Sequence, residues 1–356
     1  MGISQELRVD KDRYNDALDA ATFLTKYFLK TGRYKADESW GPEGILYLAE
    51  SSYALMDAYC ISKQDHYLQA VKAILEELKR IQKPNGGWAI DLSESGVGFK
   101  VTDEERRDSA EKVDPPTTSA MLRTIADYYR ISGDNSYREM GDRAFDYLKE
   151  MWDPEVGTFV EKTHRKLLDL RSNPNAYHLF FLIGVSAWRV NAPDVIDEMY
   201  PSLLDFVKRT YEAFDSETMP LIYALHTAIL LEHCSKEYIT NTIQPKIVQH
   251  LVNNDIFRTK DNPGGYGHRD GSRGIVTDEA HMRSSAGIAI ALKQYDLITE
   301  TKTFTKTSFY QDLSGWIDQM KVGDFYYEFE LLPERIKKGY GSPGQYLPIW
   351  WIFGKI

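Results

Sequence analysis

Leu55-Met56-Asp57-Ala58-Tyr59-Cys60-Ile61-Ser62-Lys63-Gln64-Asp65-His66-Tyr67 aligns without a gap on Ile125-Ala126-Asp127-Tyr128-Tyr129-Arg130-Ile131-Ser132-Gly133-Asp134-Asn135-Ser136-Tyr137. Asp57 falls on Asp127, Tyr59 on Tyr129, Ile61-Ser62 on Ile131-Ser132 and Tyr67 on Tyr137. Each copy reads as the end of an apolar helix, a tight polar turn and the start of an amphipathic helix. Self-similarity of this kind marks a repeat architecture, in which each helical unit buries its apolar face against the next. The amphipathic helices then run to Gly86-Gly87-Trp88 and to Gly157-Thr158-Phe159, and Asn262-Pro263-Gly264-Gly265-Tyr266 is a third trace of the same ending. Glycine suits the left-handed position just past a helix end, and the aromatic that follows can plug back into the hairpin.

Outward from this repeat, apolar residues recur at helical spacing nearly everywhere, which predicts about twelve helices in six pairs. The inner member of each pair is rich in small and apolar residues: roughly 44–62, 116–131, 175–190, 219–234, 278–297 and 343–354. The outer members are amphipathic, roughly 66–82, 136–151, 197–213, 236–252 and 305–320. Segment 11–31 can serve as the sixth outer helix, pairing with the last inner one and closing a ring, with Trp350-Trp351 as core at the closure. Alternating strand pattern is scarce, and Phe325 to Leu331 is the best candidate. The long connections, 83–115, 152–174, 254–277 and 321–342, all follow outer helices. In a ring of hairpins they gather at one end, where long loops on a rigid scaffold build a site. No stretch resembles a linker, so the expectation is an all-α single domain over 1–356.

Composition narrows the function classes. The chain has 356 residues and a formal charge of -10, without basic clusters. That is a poor match for nucleic acid or an anionic membrane surface. The mean hydropathy of -0.45 speaks against an integral membrane protein, and Tyr177 to Trp188, the longest apolar stretch, is too short to span a bilayer. Two distant cysteines, Cys60 and Cys234, offer neither a disulfide framework nor zinc spacing. The polar N-terminus lacks the apolar core of a signal peptide, so a cytoplasmic location is expected. No metal or cofactor is expected.

The pattern of inner helix, short polar turn and outer helix resembles the six-hairpin, (α/α)6 toroid enzymes. Ile131-Ser132-Gly133-Asp134-Asn135-Ser136-Tyr137 is similar to the hairpin turn of carbohydrate-active toroids, both glycosidases and polysaccharide lyases. Pro84-Asn85-Gly86-Gly87-Trp88, with the later Asp114-Pro115-Pro116-Thr117-Thr118-Ser119-Ala120-Met121, resembles the layout of toroidal pectate lyases. Gln82-Lys83-Pro84-Asn85-Gly86-Gly87-Trp88 also resembles the Gln-x-x-x-Gly-x-Trp motif of squalene-cyclase and prenyltransferase toroids. Where class II terpenoid cyclases carry an Asp-x-Asp-Asp acid, this chain has Val113-Asp114-Pro115-Pro116, so the proton-donating motif is missing.

Candidate chemistry falls at the starts of the inner helices, whose positive dipole ends suit carboxylate or phosphate. Asn175-Ala176-Tyr177-His178 offers an acid/base pair in Tyr177 and His178, with Asn175 either polarising a substrate carboxylate or capping the helix. The glycine-rich loop Gly264-Gly265-Tyr266-Gly267-His268-Arg269-Asp270 leads to Asp278, His281 and Arg283, an acid, a base and an anion clamp within about one turn. Ordinary capping accounts for part of the same run. Asp114 reads as an N-cap before Pro115 and Pro116. Tyr223 and His226 lie three apart on one helix face, which serves a substrate if it lines the cavity and is otherwise a core pair. Trp40 is a rim aromatic suited to a sugar face.

The expectation from sequence is a carbohydrate-active enzyme that cleaves a glycosidic bond in an oligo- or polysaccharide, uronate-containing in the lyase version. His178, Tyr177, His281, Asp278 and Arg283 are its catalytic candidates. Trp40, Asn175, Tyr223, His226, Tyr266, His268 and Arg269 are its substrate contacts. Its partner is a small molecule or oligosaccharide, with neither nucleic acid nor membrane insertion expected, and the sequence sets no oligomeric state. A terpenoid cyclase or prenyltransferase-like toroid and a non-catalytic ligand-binding toroid are the alternatives.

Overall fold

A computed structural model describes residues 13–31, 45–88, 113, 115–159, 178–215, 218, 220–259, 264–267, 269–270, 275–276, 282–322, 325–326 and 346–353. Among these residues the chain forms twelve helical segments, counting 236–252 as one. They are α1 (Tyr14–Thr31), α2 (Ile45–Ser62), α3 (Asp65–Ile81), α4 (Pro115–Ser132), α5 (Arg138–Met151) and α6 (His178–Trp188). After them come α7 (Pro193–Ala213), α8 (Pro220–His233), α9 (236–252), α10 (Met282–Thr299), α11 (Ser308–Gln319) and α12 (Tyr346–Phe353). The helical spacing therefore placed every helix among the described residues. α9 contains two stretches of wider π-helical turns, Ile239–Ile243 and Ile247–Val252. Pro245 lies between them, and a proline ring inside a helix removes one N–H and displaces the carbonyl four residues back.

Among the described residues strand is confined to two-residue antiparallel pairs: β1 (Trp152–Asp153) with β2 (Thr158–Phe159), β3 (Arg269–Asp270) with β4 (Ile275–Val276), and β5 (Lys321–Val322) with β6 (Phe325–Tyr326). β6 is the start of the one strand the sequence suggested; 327–331 lie outside the described residues. The pair β3–β4, inside the glycine-rich loop, had no alternating pattern to announce it.

The described chain falls into two compact units. One holds 25–60 and 64–213, the other 1–24, 61–63 and 214–356. In the first, inner helices α4 and α6 approach closely enough that a Cβ on Gly184 would overlap the Ser119 carbonyl oxygen, and Ser119 Oγ donates to Phe180 O at 2.9 Å. In the second, α8 and α10 meet at Gly287, and Gln294 Nε2 donates to Ala228 O at 3.0 Å. Small residues on the inner helices are what permit these approaches. Also in the second unit, Arg13 pairs with Asp318 at 2.5 Å and its guanidinium lies 4.6 Å from the centre of the Trp351 ring. Lys321 is held by Asp16 and Asp19. The N-terminal helix thus docks on the last hairpin, as expected of a sixth outer helix, and Trp350 and Trp351 are core.

The repeat is visible in the backbone. Lys63 (φ 59°) and Gly133 (φ 73°), aligned in sequence, both take the left-handed conformation at the inner-to-outer turn. In the second copy Asp134 Oδ1 accepts from the Ser136 N–H at 3.0 Å and from its hydroxyl, which pulls the Asp134 carboxyl down to about 2. The three loop starts agree more closely still. Gly86, Gly157 and Gly264 have φ of 94°, 80° and 83°. Each faces the carbonyl of a following outer helix: a Cβ on Gly86 would overlap Arg143 O, one on Gly264 would overlap Asp312 O, and one on Gly157 would lie 3.1 Å from Ser202 O. The aromatic two residues later then meets the next inner helix. Trp88 N–H donates to Thr118 Oγ1 at 3.1 Å, Tyr266 N–H donates to Ser285 Oγ at 3.0 Å, and Phe159 lies 4.8 Å from Phe181 between ring centres. Trp88 closes the loop back on its own hairpin by donating from Nε1 to Leu78 O at 2.8 Å.

This geometry separates glycines that must be glycine from one that need not be. Gly86→Ala and Gly264→Ala should each cost about 1–3 kcal/mol of unfolding free energy, from backbone strain and displaced carbonyls. Gly315→Ala, in α11 with nothing within 4 Å of its would-be Cβ, should gain about 0.5–1 kcal/mol. Urea unfolding of the three variants checks the order; equal effects would mean that the loop starts are not locked.

Candidate functional site

The loop-bearing starts of the inner helices hold most of the sequence-predicted residues. Trp40, Asn175, Tyr177, His268, Asp278 and His281 lie outside the described residues, as does Asp114. Arg269 is placed by its backbone in β3, and Arg283 in α10. His178, Tyr223, His226 and Tyr266 can be followed in full.

His178 is the first described residue of α6, a helix apolar on every side because it is buried on every side. Its ring lies edge-on to Phe206 of α7 at 5.0 Å and tilted to Phe181 at 5.6 Å. Burial pushes the imidazole down to about 4, so it is neutral at physiological pH. Nδ1 is buried without a hydrogen-bond partner among the described residues. Such an atom costs about 1–3 kcal/mol unless something satisfies it. An imidazole held neutral with an unclaimed nitrogen can bind a hydroxyl, and it becomes an effective base only where a bound group offsets the burial that lowers it.

Tyr223 and His226 do share a face of α8, as their spacing predicted, and both are buried. That face meets Phe214, 4.8 Å from the His226 ring, and His250 of α9, stacked on Tyr223 at 5.0 Å and 27°. His226 Nδ1 is 3.0 Å from Ile222 O. A carbonyl only accepts, so Nδ1 carries the proton and Nε2 is the basic nitrogen. Burial, reinforced by Lys246, lowers His250, with Asp215 opposing.

Tyr266 stands in the third glycine-aromatic ending. Its hydroxyl accepts from Arg258 Nε at 2.8 Å. Burial pushes its phenol up to about 12 against the pull of Arg258. The guanidinium lies 4.9 Å from the Phe309 ring centre and donates to Val252 O at 2.7 Å. With the Gly264-Gly265 backbone and Asp312, these groups line a small open pocket of about 120 Å³. Arg258, Phe309 and Asp312 escaped the sequence reading because they come from a separate loop and an outer helix. Among the described residues no group of three His, Cys, Asp or Glu could hold a metal ion, and no helix is long and apolar enough to cross a membrane.

No protein-family model matches the sequence, and no curated protein matches it. Solved structures do match in fold, over nearly the whole chain. A D-mannose isomerase shares 11% identity at a TM-score of 0.66, covering 97% of both chains. Cellobiose 2-epimerase from Spirochaeta thermophila shares 13% at 0.64, covering 98% of both. The GH76A α-1,6-mannanase from Salegentibacter shares 11% at 0.58, covering 96% of this chain and 98% of that one, and an inactive variant of it is known with α-1,6-mannotriose. A type II terpene cyclase from Scytonema is similar at 13% and 0.50, covering 89% of this chain and 82% of that one. The chain is an all-α protein of the (α/α)6 toroid class, and the sequence resemblance to both carbohydrate-active and cyclase toroids holds at the level of fold.

The depressed His178 has a consequence for stability. An unfolded histidine titrates near 6.5, so between pH 6.5 and about 4 the unfolded chain binds a proton that native His178 refuses. Stability therefore falls as pH drops through that window and levels off below it. Wild type should lose about 3 kcal/mol more than His178→Leu between pH 6.5 and 4. Urea unfolding of both proteins at stepped pH measures the difference; parallel curves would contradict a buried neutral imidazole.

Proposed function

We propose that the chain is a carbohydrate-active enzyme working by acid/base chemistry at the loop-bearing starts of its inner helices, with 1–356 acting as one domain. The observation that carries this reading is His178, neutral, buried at the first described residue of an inner helix, with Nδ1 unclaimed among the described residues. Moving a proton at a sugar carbon or a glycosidic oxygen needs a titratable side chain, and His178 can serve once a bound substrate offsets the burial that lowers it. The substrate class comes by analogy from the isomerase, epimerase and mannanase that share the fold.

The finer reading is glycosidic cleavage. It keeps Tyr177, His281, Asp278 and Arg283 beside His178 as proton-transfer and anion-binding groups. It keeps Trp40, Asn175, Tyr223, His226, Tyr266, His268 and Arg269 as substrate contacts, to which Arg258 is added as the partner of Tyr266. A second reading, epimerisation or isomerisation of a sugar without cleavage, is favoured by the same neutral imidazole: proton transfer at carbon needs a base, whereas hydrolysis usually needs two carboxylates.

Incubation with cellobiose, mannose, mannooligosaccharides and uronate oligosaccharides tests both. New reducing ends or unsaturated products report cleavage, and chromatographic interconversion of epimers reports the second reading. His178→Gln should lower kcat by about 10²–10⁴-fold with the fold intact. Turnover of a prenyl diphosphate, with none of any sugar, would instead place the chain with the terpenoid toroids.

A further inference from the structure

The first and third glycine-aromatic endings share a backbone frame and differ in what fills it. At the first, the Lys83 N–H donates to Gly87 O at 2.9 Å, and a Cβ on Gly86 would overlap Arg143 O of α5. At the third, the Thr259 N–H donates to Gly265 O at 3.0 Å, and a Cβ on Gly264 would overlap Asp312 O of α11. Gln82 and Arg258 therefore hold the same place in the frame, as do Arg143 and Asp312. In the first ending these side chains close on each other. Arg143 Nη2 donates to Gln82 Oε1, and Gln82 Nε2 donates to Gly86 O at 2.6 Å and to Met140 O at 2.9 Å. In the third ending Arg258 and Asp312 carry opposite charges and yet make no ion pair with each other. Both line the open pocket of about 120 Å³.

Arg258 is held in place without using all its donors. Nε is shared between the Tyr266 hydroxyl at 2.8 Å and Asp255 at 3.2 Å, and Nη2 donates to Val252 O at 2.7 Å. The guanidinium carbon lies 4.9 Å from the centre of the Phe309 ring. A guanidinium presents donors on all three nitrogens, and neither hydrogen on Nη1 has an acceptor among the described residues. The Asp312 carboxylate likewise has no hydrogen-bond or ion-pair partner among the described residues. One wall of the pocket thus offers fixed donors, another offers acceptors, and Phe309 and the buried Tyr266 ring supply apolar surface. A ligand that accepts and donates from adjacent groups satisfies both walls at once.

We propose that this pocket is a sugar-holding site walled by an outer helix, in which neighbouring hydroxyls of a neutral pyranose bridge Arg258 and Asp312. One hydroxyl accepts from Arg258 Nη1, the next donates to the Asp312 carboxylate, and the ring's C–H groups meet the aromatic wall. The proposal rests on the carbohydrate part of the reading above, and it assigns the Tyr266 hydroxyl, counted there as a substrate contact, to this pocket. A simple anion would meet Asp312 and the Asp255 already paired with the arginine, and a simple cation would meet the guanidinium, so like-charge repulsion disfavours both. The volume is about four times the share of one water in the liquid. That takes one edge of a single ring and leaves the rest of the sugar in solvent, as suits a site that holds a chain rather than cleaves it.

Fluorine NMR of the full chain labelled with fluorophenylalanine tests this at the pocket itself, with Phe309→Leu identifying the Phe309 signal. Titration with mannobiose and with cellobiose should move that signal saturably for at least one of the two. Glycine and inorganic phosphate at the same concentrations should leave it in place. Asp312→Ala, a change to an exposed side chain whose backbone carbonyl stays against Gly264, should weaken the sugar response at least about tenfold. A signal unmoved by both sugars, moved at lower concentration by glycine or phosphate, or moved equally in Asp312→Ala overturns the site. Turnover in the sugar panel together with a silent Phe309 overturns the site alone. A sugar response at Phe309 without turnover of any sugar supports the site and removes the acid/base reading instead.

Discussion

The contact on which the rest depends is made between backbones. At Gly86, Gly157 and Gly264 the chain turns left-handed and brings its Cα against a carbonyl of a following outer helix. A side chain at Gly86 or Gly264 would occupy the space of that carbonyl oxygen. Because the contact involves no side chain on the glycine, it recurs while the residues around it change. It sets where each long loop begins, and the aromatic two residues later sets where the loop meets the next inner helix. Loops anchored at both ends in this way can vary in length and chemistry without disturbing the helices that carry them.

A second constraint acts among the inner helices. Gly184 and Gly287 admit neighbouring helices at close range, and hydroxyl and amide side chains such as Ser119 and Gln294 bond the facing carbonyls. Helices so enclosed have little room for charge. The charged groups that persist there are engaged: Arg123 with Asp127 in the first unit, and in the second Glu232 with Gln294, Lys293 with the Trp351 and Ile352 carbonyls, and Asp296 with the turn at 301–305. The same logic applies to His178, which is tolerated between Phe181 and Phe206 because it is uncharged there.

One scaffold serves sugar isomerisation, epimerisation, mannan cleavage and terpene cyclisation among the structures it matches. Fold alone cannot choose between those chemistries. The choice lies in the residues displayed at the helix starts. Of the candidates at the helix starts, His178 is one whose side chain can be followed in full, and it is neutral and buried.

Local sequence was enough to determine the helices, their order and the three glycine-aromatic endings, because periodicity, capping and turn chemistry act over a few residues. The thirteen-residue repeat carried the hairpin and its tight polar turn, in which the structure shows Lys63 and Gly133 left-handed. The face shared by Tyr223 and His226 was equally legible, since three residues on a helix make a neighbour. What that face touches was not: Phe214 and His250 arrive from elsewhere in the chain. Arg258 meeting Tyr266 and Arg123 covering Tyr53 were hidden for the same reason. An arginine in an apolar helix reads as an exposed charge or a buried one with equal ease. Only packing in three dimensions decides, because desolvation and pairing depend on residues that the chain brings together from tens of positions away.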